Sequence, residues 1–313
     1  METQERDLER ALYDRPDSLH GLPDGPYRFD IEGNLMRRSG WPAWRSRISW
    51  LLWGFPYMQA LRRDIAQTFT TLVKNPVDPQ TTITAEHLHN FEAQAYSNGV
   101  GAIGYTDLPP EAIFQEKAVL FTHVIVLVME MNADKIAQAP SPATFRMVMK
   151  SYYDLGQVVE QLVKYLRQCG YAAQGGHPLN GVALYPLLAQ RAGLGQLGAN
   201  GLLITPQFGP RHRLAAIYTS ISNLPDTSTD EHTWVKAFCS WCRQCHRKCP
   251  GQAIYDQPVS RPSGIVSHVD VDRCFPVFAD QYGCSLCIKV CPFNLYPYEQ
   301  IRDRFHHKQK AGS

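Results

Sequence analysis

The chain has 313 residues, with 31 basic against 29 acidic side chains and a formal net charge of +2. So even a balance gives no electrostatic case for a nucleic-acid partner, and a chain 44% hydrophobic and 19% charged is composed like a globular protein of one large or two modest domains. No run of 18 apolar residues occurs, so no membrane-spanning helix is expected.

Residues 1–90, rich in Pro, Gly and Arg, read as an N-terminal extension that packs on the core. No secretory signal opens the chain. Arg37-Arg38 is a twin arginine, but Arg45 and Arg47 interrupt the approach to the apolar stretch Ile48–Tyr57, and no small-residue cleavage site follows. A cytoplasmic protein is expected. Trp41, Trp44, Trp50 and Trp53 are flanked by Arg45, Arg47, Arg62 and Arg63. That composition suits peripheral membrane or partner docking through residues 41–58, or simply aromatics that cover the next domain's core.

Residues 91–225 read as an α/β domain. Ala118–Met129 is β-branched and almost continuously apolar, as in a buried strand. Leu155, Val158, Val159, Leu162, Val163 and Leu166 recur at helical spacing, which predicts an amphipathic helix over 152–168 that stops at Gly170. Leu184–Arg191 predicts a short helix, and Leu202–Thr205 and Ala215–Thr219 predict strands. Gly193, Gly195 and Gly198 match G-x-G-x-x-G, but a helix precedes them and a strand follows. A dinucleotide site needs the reverse order. The polar stretch 222–233 reads as a domain boundary.

Eight of the nine cysteines lie between residues 239 and 291, whereas Cys169 stands alone and reads as a small buried hydrophobe. The first run is Cys239, Cys242, Cys245 and Cys249 followed by Pro250. The second is Cys274, Cys284, Cys287 and Cys291 followed by Pro292. Three thiolates at steps of three wrap one corner of a [4Fe–4S] cubane, and the fourth reaches the other cluster. By that logic Cys239, Cys242, Cys245 and Cys291 hold one cluster, and Cys249, Cys274, Cys284 and Cys287 the other. Structural zinc prefers two close pairs separated by a longer loop, which this spacing lacks. Residues 226–300 thus read as a ferredoxin-like domain with two [4Fe–4S] clusters, and 301–313 as a basic tail.

The stretches GVALYPLLAQRAGLGQLGANGLLITPQFGPRHRLAAIYT and VDRCFPVFADQYGCSLCIKVCPFN resemble corrinoid-dependent reductive dehalogenases, and so do YRFDIEGNLMRR and VIVLVMEMNADKIAQAPS. Epoxyqueuosine reductase is similar across the same core and clusters. The resemblance implies an α+β protein in which a nitroreductase-like α/β domain binds cobalamin base-off and precedes a bacterial ferredoxin-like dicluster domain. No D-x-H-x-x-G stretch signals a histidine ligand to cobalt. On this resemblance Asn180, Gly193, Gly195, Gly198, Asn200, Thr205 and Arg213 are the expected corrinoid contacts. The family keeps its proton donor at the position of Ser151–Asp154, which makes Tyr153, with Tyr152 beside it, the expected catalytic acid, placed here at a helix start. The dehalogenase G-R-x-G stretch departs at Ala199, where a basic residue would stabilise the tyrosine anion. Lys150, Arg211 and His212 are candidates to replace it.

The expected function is a cobalamin- and iron–sulfur-dependent reductase, an oxidoreductase that acts on a small organic substrate, with reductive dehalogenation first. It would be supplied by an external low-potential donor of the ferredoxin or flavodoxin kind. A deoxygenase acting on tRNA, like epoxyqueuosine reductase, and a non-catalytic electron-transfer protein are the alternatives.

Overall fold

The computed structural model describes residues 2–28 and 55–311. The twin arginine and the tryptophan-rich stretch 41–54 lie outside the described residues. Among the described residues no helix is long and apolar enough to cross a membrane.

Four strands form the central sheet: β1 (Val100–Asp107), β2 (His123–Glu130), β3 (Ala173–Gly176) and β4 (His212–Thr219). Their order is β1-β2-β4-β3, with every neighbouring pair antiparallel. The register sets Val126 of β2 against Gly104 on one side and Ala216 on the other. Val124 to Val128 are fully buried, because β2 is covered on both faces. Val124 and Val126 pack with Leu188 and Tyr218 on one side, and Ile125 and Leu127 pack with Leu155 and Leu162 on the other. That double burial explains why the sequence of β2 shows no alternation. The apolar run expected as one strand from Ala118 is interrupted: Ala118–Val119 pairs separately with Leu19–His20, and β2 begins only at His123.

Three helices build the outer layers that matter for the site: α1 (Phe55–Thr70), α2 (Ala85–Ser97) and α3 (Pro142–Gln168). α3 starts ten residues earlier than its apolar spacing predicts. Ser141 caps it by accepting the Thr144 N–H at 3.2 Å, and Pro142 occupies the first turn, where its missing N–H costs nothing. Gly156 lets the helix pass His177, since a Cβ there would lie 2.5 Å from the imidazole Nε2. Gly170 ends α3 with φ +88°, as its place in the sequence predicts. Phe91 and Ala95 of α2 belong to the sheet core, so the expected boundary at residue 90 falls inside a helix.

α1 packs on α3 through an interface that carries two buried carboxyls. Asp64 is 6% exposed, and one oxygen of Asp64 and one of Glu160 are buried without a hydrogen-bond partner. Burial pushes the Glu160 carboxyl up to about 7, against the pull of Arg167, with Asp64 adding to the rise. A carboxyl whose folded pKa is raised favours folding below its unfolded value near 4.5, and that contribution fades as pH climbs through about 7. Glu160→Gln should therefore gain stability relative to the wild type as pH rises from 5.5 to 8.5. Urea midpoints at both pH values check this. A pH-independent difference between the two proteins would show that Glu160 does not titrate in this range.

The stretch 222–233 is not a free linker. The Thr227 hydroxyl accepts the Tyr105 N–H at 2.9 Å and lies 2.8 Å from the Ala192 carbonyl, while the Asn223 amide brackets the Ile83 backbone. Beyond it α4 (Trp234–Cys242) opens the cysteine-rich region. The segment expected as a basic tail is instead helix α5 (Tyr298–Ala311), whose Ile301 is buried and whose Phe305 stacks against Trp234 and Phe238.

Candidate active site and cluster module

The backbone around the cysteines is bent in ways that ordinary residues resist. Arg243 (φ 50°) breaks α4 just after Cys242 and starts a second short helix that carries Cys245. Tyr282, Gly283, Cys284 and Ser285 are four consecutive left-handed residues, with φ between 46° and 76°. Non-glycine residues adopt this conformation at a cost, and successive turned N–H groups make concavities that favour anions. The inward N–H groups find sulfur. Backbone N–H groups of Gln244, Leu286 and Phe293 reach the sulfurs of Cys242, Cys284 and Cys291, each two residues earlier. Ala253 N–H donates to Cys249 Sγ at 3.4 Å, and Ala199, from the α/β domain, donates to Cys239. N–H···S bonds of this kind stabilise thiolate ligands and tune cluster potential.

The eight thiols lie near one another across the two motifs, and Cys245 of the first neighbours Cys287 and Cys249. Cys291 has Cys239, Cys245 and Cys242 as its charged neighbours. Cys274 has Cys249 and Cys284, and Cys287 has Cys284, Cys245, Cys274 and Cys249. A recess is lined by Cys239, Cys242, Cys245 and Cys291 together with Ala199 and Asn200. Burial pushes the Cys239 and Cys287 thiols up to about 12, so these sites hold thiols until a metal displaces the proton. Among the described residues no three His, Cys, Asp or Glu side chains converge closely enough for a single metal ion.

In the α/β domain the tyrosines do not sit at a helix start. Ser151, Tyr152 and Tyr153 lie well inside α3, because Ser141 supplies the cap. The N-terminal dipole, which acts only over the first turn, therefore does not reach them. What Tyr152 has is a cation. The Arg213 guanidinium covers its ring at 4.2 Å from the centroid, and Arg213 Nε donates to Ser151 Oγ at 3.1 Å. Arg213, an expected corrinoid contact, thus lies at the start of β4 against Tyr152. The three candidate cations are occupied elsewhere: Lys150 pairs with Asp154, Arg211 with Glu130, and the buried His212 meets the Leu203 carbonyl at 3.0 Å. Tyr153 faces Tyr57, with ring centroids 6.4 Å apart, in an apolar cluster with Leu61, Phe145 and Met149. Tyr282 from the second cysteine motif joins the same cluster.

The expected corrinoid contacts are scattered in role. Gly193 and Gly195 are required by the chain itself, since a Cβ would lie 2.0 Å from the Thr227 carbonyl oxygen and 2.2 Å from that of Ile204. Thr205 spends its hydroxyl in a tight turn, donating to Gly209 O at 3.3 Å and accepting from Phe208 N. Asn180 reaches Glu9 at 3.5 Å. Gly198 and Asn200 remain at the tip of a hairpin (Gln196–Leu197 with Leu203–Ile204), beside the recess. Sequence reasoning missed His268, whose ring lies against Gly201 and whose Nδ1 is buried without a partner. Nothing in its spacing marks it.

Residues 238–295 match the 4Fe-4S dicluster domain. Over 214 residues the chain is 36% identical to a tetrachloroethene reductive dehalogenase of Desulfitobacterium hafniense, covering 63% of this chain and 37% of that one. Over that stretch the chain is similar to the reductive dehalogenases. An epoxyqueuosine reductase of Listeria monocytogenes is 32% identical over 34% of this chain and 28% of its own. The solved catabolic reductive dehalogenase NpRdhA superposes with a TM-score of 0.70 at 17% identity, over 93% of this chain and 44% of that one, which establishes the dehalogenase fold. The chain thus spans well under half the length of the dehalogenases it matches.

Proposed function

We propose that this protein is a cobalamin- and iron–sulfur-dependent reductase of a small organic substrate, with reductive dehalogenation as its reaction. The observation that carries the reading is the Arg213–Tyr152 pair, an acid with a cation against it, in a protein that gathers eight thiols into two groups. Cys239, Cys242, Cys245 and Cys291 would hold one [4Fe–4S] cluster, and Cys249, Cys274, Cys284 and Cys287 the other. The dehalogenase likeness covers more of the chain than the epoxyqueuosine reductase likeness, which favours a halide over a tRNA substrate.

A corrinoid fits the residues present. Gly198 and Asn200 offer a hairpin tip, and the unpartnered His268 Nδ1 can pair with an amide of its periphery. Bound base-off, the form the resemblance implies, the group would supply two-electron reduction at carbon. The net reaction takes R–X, two electrons and one proton to R–H and X⁻. Tyr152 gives the proton, and Arg213 places positive charge where negative charge develops as the proton leaves. Ser151 fixes the guanidinium by its hydrogen bond.

Anaerobic protein should carry about eight irons per chain, the sum of two cubanes. Added cobalamin should bind with the visible spectrum of the base-off form, and a chlorinated alkene should release halide under a strong reductant. Full iron without any cobalamin binding would leave an electron-transfer protein instead.

A further inference from the structure

The first-cysteine-motif region presents a surface that the reaction itself does not use. Trp241 is 63% exposed, beside the thiol-bearing Cys242. Lys308 of α5 sits over its ring, 5.0 Å from the centroid. Arg247 holds the same edge by donating to the Cys242 carbonyl at 2.7 Å, and Lys248 next to it is exposed. No Asp or Glu occurs from Trp234 to Tyr255. Asp256, the first to follow, is taken up by Arg243 and His246. On α5, Glu299 and Asp303 are both engaged by Arg302. The positive charge around Trp241 is therefore not neutralised locally.

The two thiol groups differ in what lies behind them. Cys287 of the second group is backed by Met131, Ile136, Met147, Val148 and Leu202, so it faces protein. Cys242 of the first group is half-buried and directly follows the exposed Trp241. Exposed apolar surface continues on the other side of that group, where Leu295 and Tyr296 follow Cys291. Phe238 connects the two flanks, with ring centroids 6.0 Å from Trp241 and 5.0 Å from Phe293. An exposed aromatic ringed by cations, with a polar rim, is the anatomy of a transient protein interface.

We infer that this surface is the electron entry port, and that its occupant is a small acidic protein carrying a one-electron cofactor. The inference rests on the proposed cluster ligation. A [4Fe–4S] cluster accepts one electron at a time, which suits a flavodoxin- or ferredoxin-type carrier. The G-x-G-x-x-G glycines build no dinucleotide site, because they lie between a helix and a hairpin rather than after a strand. Each encounter oxidises the carrier by one electron and reduces the cluster held by Cys239, Cys242, Cys245 and Cys291 by one. Two encounters supply one turnover. Opposite charge steers the encounter and sets its rate more than its affinity.

The test is stopped-flow reduction of the oxidised holoenzyme by two donors, a reduced acidic flavodoxin and the reduced methyl viologen cation. With flavodoxin, Lys248→Glu/Lys308→Glu should lower the second-order rate by roughly 10–100-fold, and Lys248→Gln/Lys308→Gln should fall between it and the wild type. With methyl viologen neither variant should slow. Raising ionic strength from about 0.01 to 0.15 M, which shortens the screening length from about 30 to 8 Å, should slow the wild type with flavodoxin but not the Glu variant. An unchanged flavodoxin rate in the Glu variant, or equal losses with both donors, overturns the port. Wild-type protein that lacks iron overturns the cluster ligation itself, and iron analysis tells that failure from a failure of docking.

Discussion

Tyr152→Phe should lower turnover by roughly 10²–10⁴-fold, the range that general acid catalysis contributes, while iron content and cobalamin binding stay at wild-type levels. The substitution removes only the hydroxyl and leaves the ring under Arg213, so the cation–ring contact at 4.2 Å survives. Tyr153→Phe is the contrasting variant. Its ring is packed against Tyr57 in an apolar cluster, and Arg213 is placed over its neighbour instead. Tyr153→Phe should keep turnover within a few-fold of wild type. Arg213→Gln should lose turnover as Tyr152→Phe does, and the double variant should be hardly worse than either single one, because acid and cation act as a unit. If Tyr153→Phe carries the large loss and Tyr152→Phe does not, the proton comes from Tyr153 and the Arg213 pairing is structural.

Cys291→Ala should cost the cluster that the first cysteine motif builds, and Cys249→Ala the cluster of the second. Each variant should fall from about eight irons towards about four. This is the sharpest consequence of the crossed arrangement, since Cys291 has Cys239, Cys242 and Cys245 for neighbours across about fifty residues of chain. Paramagnetic resonance of the reduced variants checks it: a single cluster should lose the magnetic coupling seen when two sit side by side. Were Cys291→Ala to disturb instead the cluster of Cys274, Cys284 and Cys287, ligation would be sequential rather than crossed.

What the sequence made legible follows from how local each signal is. Cysteine spacing is itself ligand geometry, and the dicluster domain match over residues 238–295 falls where that spacing places it. The apolar run of β2 and the end of α3 at Gly170 are set by neighbours in sequence, and both were readable. The start of α3 was misplaced because its first ten residues lack the apolar stripe that marks the rest, and the deciding Ser141-Pro142 pair is short. That single error put the tyrosines at a helix end and gave them a dipole they do not feel. The Arg213–Tyr152 contact was unreadable for a different reason. It joins a strand end to a helix sixty residues earlier, and only the sheet register that pairs Met129 with Arg213 brings them together. The glycines at 193 and 195 carry a double meaning, because a tight chain crossing and a cofactor cradle call for the same residue.

The fastening of residues 222–233 bears on what limits the speed of the protein. Segments that join two functional units are ordinarily where one swings against the other. Here Asn223 is clamped to the Ile83 backbone and Thr227 to β1, and the Ala199 amide reaches across to Cys239. On the proposed function, the distance an electron would cross between the halves is built in rather than reached by a motion of this segment. Turnover should be insensitive to solvent viscosity once donor encounters are saturating, because no hinge has to open or close through the surrounding liquid.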